Sequence, residues 1–191
     1  MPNVKSIKKT MIEKLPPEII AKFDFPKSQG NQPEEVISLI SQMDKLLSKE
    51  QCLLIMQEQG CCKTGSGAEA HREFGLKYKD KTVQEKIDLF DDLNTNHKAP
   101  CRLNDDGTLS IYWGAGEKGN YKCVCRLVSR LQKENPVTVN ISKTFCGCCG
   151  GHIRHNYQNS LGVKLRLIDV VSSPISSNGK NHCELLYEII D

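Results

Sequence analysis

The sequence lacks any long hydrophobic run. No stretch approaches the roughly 20 apolar residues that a helix needs to cross a bilayer. The N-terminal segment, residues 1–20, carries charges but has neither an apolar core nor a small-residue cleavage site, unlike a secretory signal. These two absences predict a cytoplasmic protein that has no membrane partner.

Charge of one sign is also scarce, because 26 Lys and Arg residues stand against 23 Asp and Glu residues, for a net charge of +3. This balance gives no electrostatic reason to expect a nucleic-acid partner. The length, 191 residues, suits one domain with a substantial core. We expect an N-terminal helical arm and linker over residues 1–32 and a single domain over residues 33–191, with the oligomeric state left open.

Periodicity predicts helices first and strands later. Capping-box signatures at Ser48/Gln51 and Thr82/Glu85 mark the beginnings of two of the helices. The predicted helices cover residues 17–23, 33–47, 49–60, 67–79, 83–93, 124–134 and 150–160. The predicted strands cover residues 101–104, 108–113, 137–141, 163–167 and 183–189, with a glycine-rich loop after residue 113. This order predicts an α+β fold in which helices cover an antiparallel sheet and the N-terminal half is mainly helical.

Cysteine, by contrast, is abundant, with ten residues in the chain. In a reducing compartment a disulfide framework does not persist, so the cysteines need another explanation. The alternative that they are small buried hydrophobic residues suits the isolated ones best. The others lie too close together to staple separate loops, and close groups favour metal binding or redox chemistry: Cys61-Cys62, Cys123-x-Cys125 and Cys146-x-Cys148-Cys149.

The most informative motif is the run FCGCCGGH over residues 145–152, which leads into a predicted helix. Its glycines allow the backbone to turn tightly, so that several sulfur atoms can converge. If the helix begins near Cys149, one face carries a cysteine and two histidines, at Cys148, His152 and His155. Thiolate and imidazole ligands suit a soft metal, for which we predict zinc, with an iron–sulfur cluster as the alternative.

The predicted metal ligands are six cysteines of the C-terminal half, namely Cys123, Cys125, Cys146, Cys148, Cys149 and Cys183. This number suffices for a closed four-ligand site. A hydrolytic zinc usually has histidine or carboxylate ligands and an open position for water. An all-sulfur set therefore predicts a metal that is structural or that supports a binding pocket.

A nucleophilic interpretation of the same residues stays open. A cysteine at a helix N-terminus has a lowered pKa because backbone N–H groups and the helix dipole stabilise its thiolate. Cys149 as nucleophile, His152 or alternatively His155 as base and Asp169 as orienting group would form a cysteine-dependent hydrolase that acts on a small substrate.

The glycines Gly114, Gly116 and Gly119 match the spacing of a dinucleotide-binding loop. Because the preceding strand belongs to a predicted antiparallel hairpin rather than to a parallel βαβ unit, we predict no nucleotide cofactor.

The final strands also suggest a place for a ligand. Leu165, Leu167, Leu185 and Tyr187 alternate toward one face of the predicted sheet, which needs a covering layer. We expect these strands and the helix over residues 150–160 to form one wall, which the helical segment 33–94 covers, either around a concave pocket for a small-molecule ligand or as a solid core.

Residues 145–190 contain a cysteine before a helix, a helix that ends at a glycine, a strand that ends in an acid, a glycine turn and a cysteine in the last strand. In this order of features they resemble the end of the 4-vinyl-reductase-like domain. The stretch is similarly close to the amino-thiazoline carboxylate hydrolase-like proteins and to small cysteine-rich bacterial proteins. The resemblance implies an antiparallel sheet backed by helices around a buried ligand pocket. It also implies zinc ligands at one of Cys146, Cys148 and Cys149, at Asp169 and at Cys183. Ser172 stands near the position of one further cysteine of that family.

Overall fold

The computed structural model describes residues 2–26, 32–60, 63–95, 99–125, 128 and 141–190. Its helices are α1 (Val4–Lys14), α2 (Pro17–Ile20), α3 (Pro33–Leu46), α4 (Lys49–Met56), α5 (Ser66–Lys77), α6 (Val83–Asp88) and α7 (Gly147–Leu161). Short 3₁₀ turns cover Gln57–Gln59, Phe90–Asp92 and Lys143–Cys146. The strands are β1 (Cys101–Leu103), β2 (Leu109–Trp113), β3 (Ala115–Glu117), β4 (Asn120–Lys122), β5 (Lys164–Ser172) and β6 (Cys183–Ile190). The predicted α+β class, with a mainly helical N-terminal half, is confirmed.

Both predicted capping boxes are present. The Ser48 hydroxyl accepts a hydrogen bond from the Gln51 backbone N–H at 3.2 Å, and the Gln51 side chain accepts one from the Ser48 N–H at 2.9 Å. Thr82 and Glu85 make the reciprocal pair at the beginning of α6. Each box satisfies N–H groups that have no partner within the helix.

Four antiparallel strands form the main sheet in the order β1-β2-β6-β5. Helix α7 lies against one face of this sheet, where Ile153, Tyr157 and Leu161 join the apolar side chains of β2, β5 and β6 in one core. The Tyr187 hydroxyl donates to the Gly150 carbonyl oxygen at 2.8 Å, and thereby connects β6 to the first turns of α7. The alternation in the final strands therefore predicts their buried face correctly.

A second core lies between the N-terminal helices. Helix α1 contributes Ile7 and Met11, which are fully buried together with residues of α3 and α4 such as Leu39 and Ile55. Helix α1 is thus an integral part of the packed structure. Among the helices that the structure describes, none has the length and apolar character needed to span a bilayer.

Two of the differences from the predicted elements affect the segments that carry the clustered cysteines. The glycine-rich segment after β2 forms a small hairpin, in which β3 pairs with β4 in a separate two-stranded sheet. Helix α7 begins at Gly147, three residues earlier than predicted, because the Lys143–Cys146 turn continues directly into it. The Ser142 hydroxyl starts that turn by accepting the Thr144 N–H at 3.1 Å.

Three predictions lie wholly or mostly outside the described residues: the Cys61-Cys62 pair, the helix over residues 124–134 and the strand over residues 137–141.

Candidate functional site

The six predicted metal ligands come from three segments of the chain. Cys123 and Cys125 follow strand β4, and we call residues 114–125 the hairpin arm. Cys146, Cys148 and Cys149 lie at the beginning of α7, and Cys183 is the first residue of β6. Cys146, Cys148 and Cys183 are buried, whereas Cys123, Cys125 and Cys149 are half-buried.

The sheet register brings the hairpin arm close to β6. Trp113, the last residue of β2, is the register partner of Cys183, and the arm leaves β2 directly after it. The turn before α7 is fixed separately, because the Thr144 hydroxyl donates to the Asp44 carboxylate at 2.6 Å and Lys143 donates to the Val171 carbonyl oxygen at 2.8 Å. The three cysteine-bearing segments therefore meet at one end of the sheet.

Electrostatic interactions link these cysteines, and five of them, grouped around Cys125 and Cys146, form one cluster. The Cys149 thiol is hydrogen-bonded to Cys125, and it also interacts with Cys146. Cys146 interacts with Cys123 and Cys125. Cys183 in turn interacts with Cys146, Cys123 and Cys125. We call these five residues the thiol cluster: Cys123, Cys125, Cys146, Cys149 and Cys183.

The surroundings of the cluster disfavour thiolates. Burial raises the pKa of Cys146 to about 12, with a further contribution from Cys123, and burial raises the pKa of Cys123 to about 11. The pKa of Cys183 is raised by burial and then by Cys146. The hydrogen bond to Cys125 and then burial raise the pKa of Cys149 well above its ordinary value. The thiols of Cys123, Cys146, Cys149 and Cys183 are therefore protonated at neutral pH.

Cys148 is directed elsewhere. Its thiol donates to the Gln59 carbonyl oxygen at 3.2 Å, and its side chain belongs to the core between the N-terminal helices. Within the cysteine-rich run it interacts electrostatically with Cys149. The sequence motif alone does not distinguish Cys148 from Cys149, because the two are consecutive and the helix directs them to different neighbours.

The glycines of the motif have a different role from the one that the sequence suggests. Gly147, Gly150 and Gly151 all lie in regular helix, and their function is close packing. A Cβ atom at Gly147 would lie 2.7 Å from the Met56 Cβ, and one at Gly151 would lie 2.7 Å from the Gln57 carbonyl carbon and nearer still to its oxygen. Gly147 and Gly151 thus allow α7 to lie close to α4 and the following turn, which fixes the position of the helical cysteines.

The expectation that the helix N-terminus lowers the pKa of Cys149 is wrong, since its pKa is raised. The physical reason is that the hydrogen bond to Cys125 favours the protonated thiol of Cys149, and burial then disfavours its thiolate further. Asp169, the proposed orienting group and the acid implied by the family resemblance, forms an ion pair with Lys49 at 2.6 Å. The His155 pKa is lowered by burial and then by Lys63.

Across the described ranges, no group of three or more His, Cys, Asp or Glu side chains has the arrangement of a preformed metal site. The thiol cluster therefore brings potential ligands into one region, within range of electrostatic interaction, without forming a closed coordination shell.

The sequence predicts either a pocket or a solid core on one face of the sheet. In the structure, other side chains of the protein pack against this face. Leu165, Leu185 and Tyr187 are at most 1% exposed and pack against residues of α7. Beside this face a groove of about 280 Å³ opens between α4 and β5, lined by Glu50, Leu54, Gln57, Arg166, Leu167 and Ile168. A small-molecule ligand stays a prediction.

Sequence reasoning missed three residues that surround the cluster. The Ser173 side chain interacts with Cys146 and lowers its pKa, while Tyr121 and His182 contact each other between the hairpin arm and the loop before β6. The sequence marks His182 only as a neighbour of Cys183. None of these contacts has a local signal, because each joins segments that are distant in the chain.

Comparisons with known proteins give no family for this chain. No protein-family model matches the sequence, and no curated protein matches it. One solved structure, described as an H-NOX protein from S. oneidensis in the Fe(II)NO ligation state, matches over 98% of this chain and 89% of its own. The sequence identity is 11% and the TM-score is 0.32, a similarity that carries no argument about fold or function.

Proposed function

We propose that this protein binds a soft transition-metal ion, with zinc favoured, through thiolates of the thiol cluster. The observation that carries the proposal is that five cysteines from three separate segments interact in one region around Cys125 and Cys146. In a reducing compartment, such convergence is more typical of metal ligation than of disulfide formation. The metal would stabilise the junction of the hairpin arm, α7 and β6, and so support a ligand-binding or sensing role.

The raised pKa values agree with this proposal. Thiolates in the cluster would lose hydration and repel one another, and a bound dication would offset both effects. Metal binding must then displace one proton for each coordinating thiol. With zinc–sulfur bonds of ~2.3 Å, four sulfurs in a tetrahedral site lie about 3.8 Å apart, so binding would draw the cluster together.

The donor type distinguishes the possible roles of the metal. A site made of thiolates favours a structural zinc over a hydrolytic one. An iron–sulfur cluster also uses cysteine ligands, and it would be recognised by a brown colour and visible absorption. The ion pair between Asp169 and Lys49 gives no support to the hydrolase alternative.

The test is a metal analysis followed by zinc titration against a chromophoric chelator, with reduced protein purified without chelators. We expect close to one equivalent of zinc, and an affinity that rises with pH by about tenfold per unit for each displaced proton. Cys125→Ser and Cys146→Ser should each weaken binding strongly, because these residues have the most partners within the cluster.

Cys52→Ala and Cys101→Ala are the matched controls. Both thiols are buried or half-buried, and the raised pKa of each has causes other than a cysteine of the thiol cluster. Both should bind zinc as the wild type does. Less than about a tenth of an equivalent of any transition metal, with all thiols freely titratable, would refute the proposal.

A further inference from the structure

We propose that His182 is a positioning residue that holds the hairpin arm, and with it Cys123 and Cys125, beside the cysteines of α7 and β6. The role of the arm as a source of metal ligands rests on the proposed function. The positioning itself follows from the contacts between the arm and the loop over residues 173–182.

The hairpin arm needs such a contact because its own hydrogen bonds do not orient it. Strands β3 and β4 pair with each other, and they form a sheet separate from the four-stranded one. Residues 114–120 are exposed to solvent. A two-stranded hairpin of this size has little stability of its own in water. The direction of the arm relative to the main sheet must therefore be fixed by side-chain and loop contacts.

The His182 ring provides these contacts on two sides. Its centroid lies 5.2 Å from that of Tyr112 on β2 and 5.4 Å from that of Tyr121 on β4, with interplanar angles of 76° and 77°. Both are edge-to-face arrangements, which are favourable for aromatic rings. A Cβ atom at Gly114 would lie 3.3 Å from the His182 Cβ, so the base of the arm also rests on this residue. His182 thus connects the main sheet to the arm.

The loop contacts the arm through the backbone as well. The Tyr121 N–H donates to the Gly179 carbonyl oxygen at 2.8 Å. A Cβ atom at Gly179 would lie 3.2 Å from the Tyr121 carbonyl oxygen, and its positive φ of 78° also favours glycine. Tyr121 is two residues before Cys123, so fixing its backbone and ring limits where the arm cysteines can lie.

The loop is itself held against the cluster. The Ser172 hydroxyl donates to the His182 carbonyl oxygen at 2.8 Å, and the Ser173 side chain interacts with Cys146, whose pKa it lowers. The His182 Nδ1 lies 3.2 Å from the carbonyl oxygen of Cys183, the next residue in the chain. The segment over residues 172–183 therefore positions the arm, contains Cys183 and contacts Cys146.

The first measurement needs no metal. In metal-free, reduced protein, the rate of maleimide modification at each cysteine is followed by peptide mass spectrometry. In His182→Ala we expect Cys123 and Cys125 to react at least about fivefold faster, because the arm opens locally, while Cys52 and Cys101 react as before. His182→Phe retains an aromatic ring and should restore most of the protection.

The second measurement is zinc affinity. His182→Ala should bind zinc about tenfold more weakly at unchanged stoichiometry, because the arm is no longer preorganised. Tyr121→Leu removes the ring contact with His182 from the side of the hairpin, at a residue outside the two cores. It should reproduce both the faster modification of Cys123 and Cys125 and the weaker zinc binding.

The outcomes separate the two proposals. Unchanged modification of Cys123 and Cys125 in both variants would overturn the positioning role, whether or not the protein binds metal. Equal acceleration at every cysteine would also overturn it, since that result indicates global destabilisation. Faster modification confined to the arm, in a protein that binds no zinc, would support the positioning role and reject the metal proposal.

Discussion

The substitution Gly151→Ala tests whether the glycines of the cysteine-rich motif serve close packing. By intrinsic helix propensity alone, alanine in place of a helical glycine should stabilise the protein by about 1 kcal/mol. The structure predicts the opposite sign. The new Cβ would lie 2.7 Å from the Gln57 carbonyl carbon and nearer still to its oxygen, whereas real Cβ atoms essentially never lie within 3.0 Å of another heavy atom.

The cost follows from what would have to move. The obstacle is a backbone carbonyl, so no side-chain rotation can relieve it, and relief requires a shift of roughly 1 Å between α7 and the turn after α4. Gln57 is 1% exposed, and its side chain accepts the Leu167 N–H at 3.1 Å, so this shift also strains a buried hydrogen bond. We expect a net destabilisation of about 3 kcal/mol, at the upper end of overpacking effects.

Thermal and urea denaturation of the metal-free protein measure this loss. A decrease of about 3 kcal/mol corresponds to a Tm lower by roughly 6–12 °C for a chain of this size. The matched control is Gly150→Ala, which has the same propensity gain. Its new Cβ would meet the end of the Leu167 side chain at 2.6 Å, which can adjust, so the loss should be about 1 kcal/mol. If Gly151→Ala is as stable as the wild type, or if Gly150→Ala loses more, the packing argument is wrong.

Two further predictions concern other buried groups. Lys86 is 4% exposed and donates to the Leu161 carbonyl oxygen at 2.7 Å at the end of α7, so Lys86→Met should lower the free energy of unfolding by about 1–3 kcal/mol. An unchanged urea midpoint would contradict that role. Burial raises the pKa of Cys101 from 9.0 to about 12, so the folded state holds this proton more tightly than the unfolded state does. The contribution of this proton to the free energy of unfolding is fully present below pH 9 and is lost as the pH rises toward 12. At pH 10.5 the loss reaches about 2 kcal/mol, and Cys101→Ala should remove this pH-dependent loss. Identical Tm-versus-pH curves for the variant and the wild type would refute this.

Local patterns in the sequence determined much of the fold. The Ser48 and Thr82 capping boxes and the turn between β1 and β2 depend on residues a few positions apart, and all are present. The alternation in β5 and β6 likewise specifies which face of each strand is buried, because successive side chains point to opposite sides of the sheet. These features can be predicted since both partners of each interaction lie in the same short segment.

Which cysteines meet was decided by the tertiary structure. Cys148 and Cys149 are adjacent in the sequence, yet one donates to Gln59 and the other is hydrogen-bonded to Cys125. The direction of the Cys149 pKa shift depends on which elements cover the end of α7, and His182 acquires its neighbours only when the arm lies against the final loop. The sequence by itself determined the donor atoms and the local elements that carry them. Their convergence, burial and protonation depend on contacts between distant segments, and no local pattern encodes those contacts.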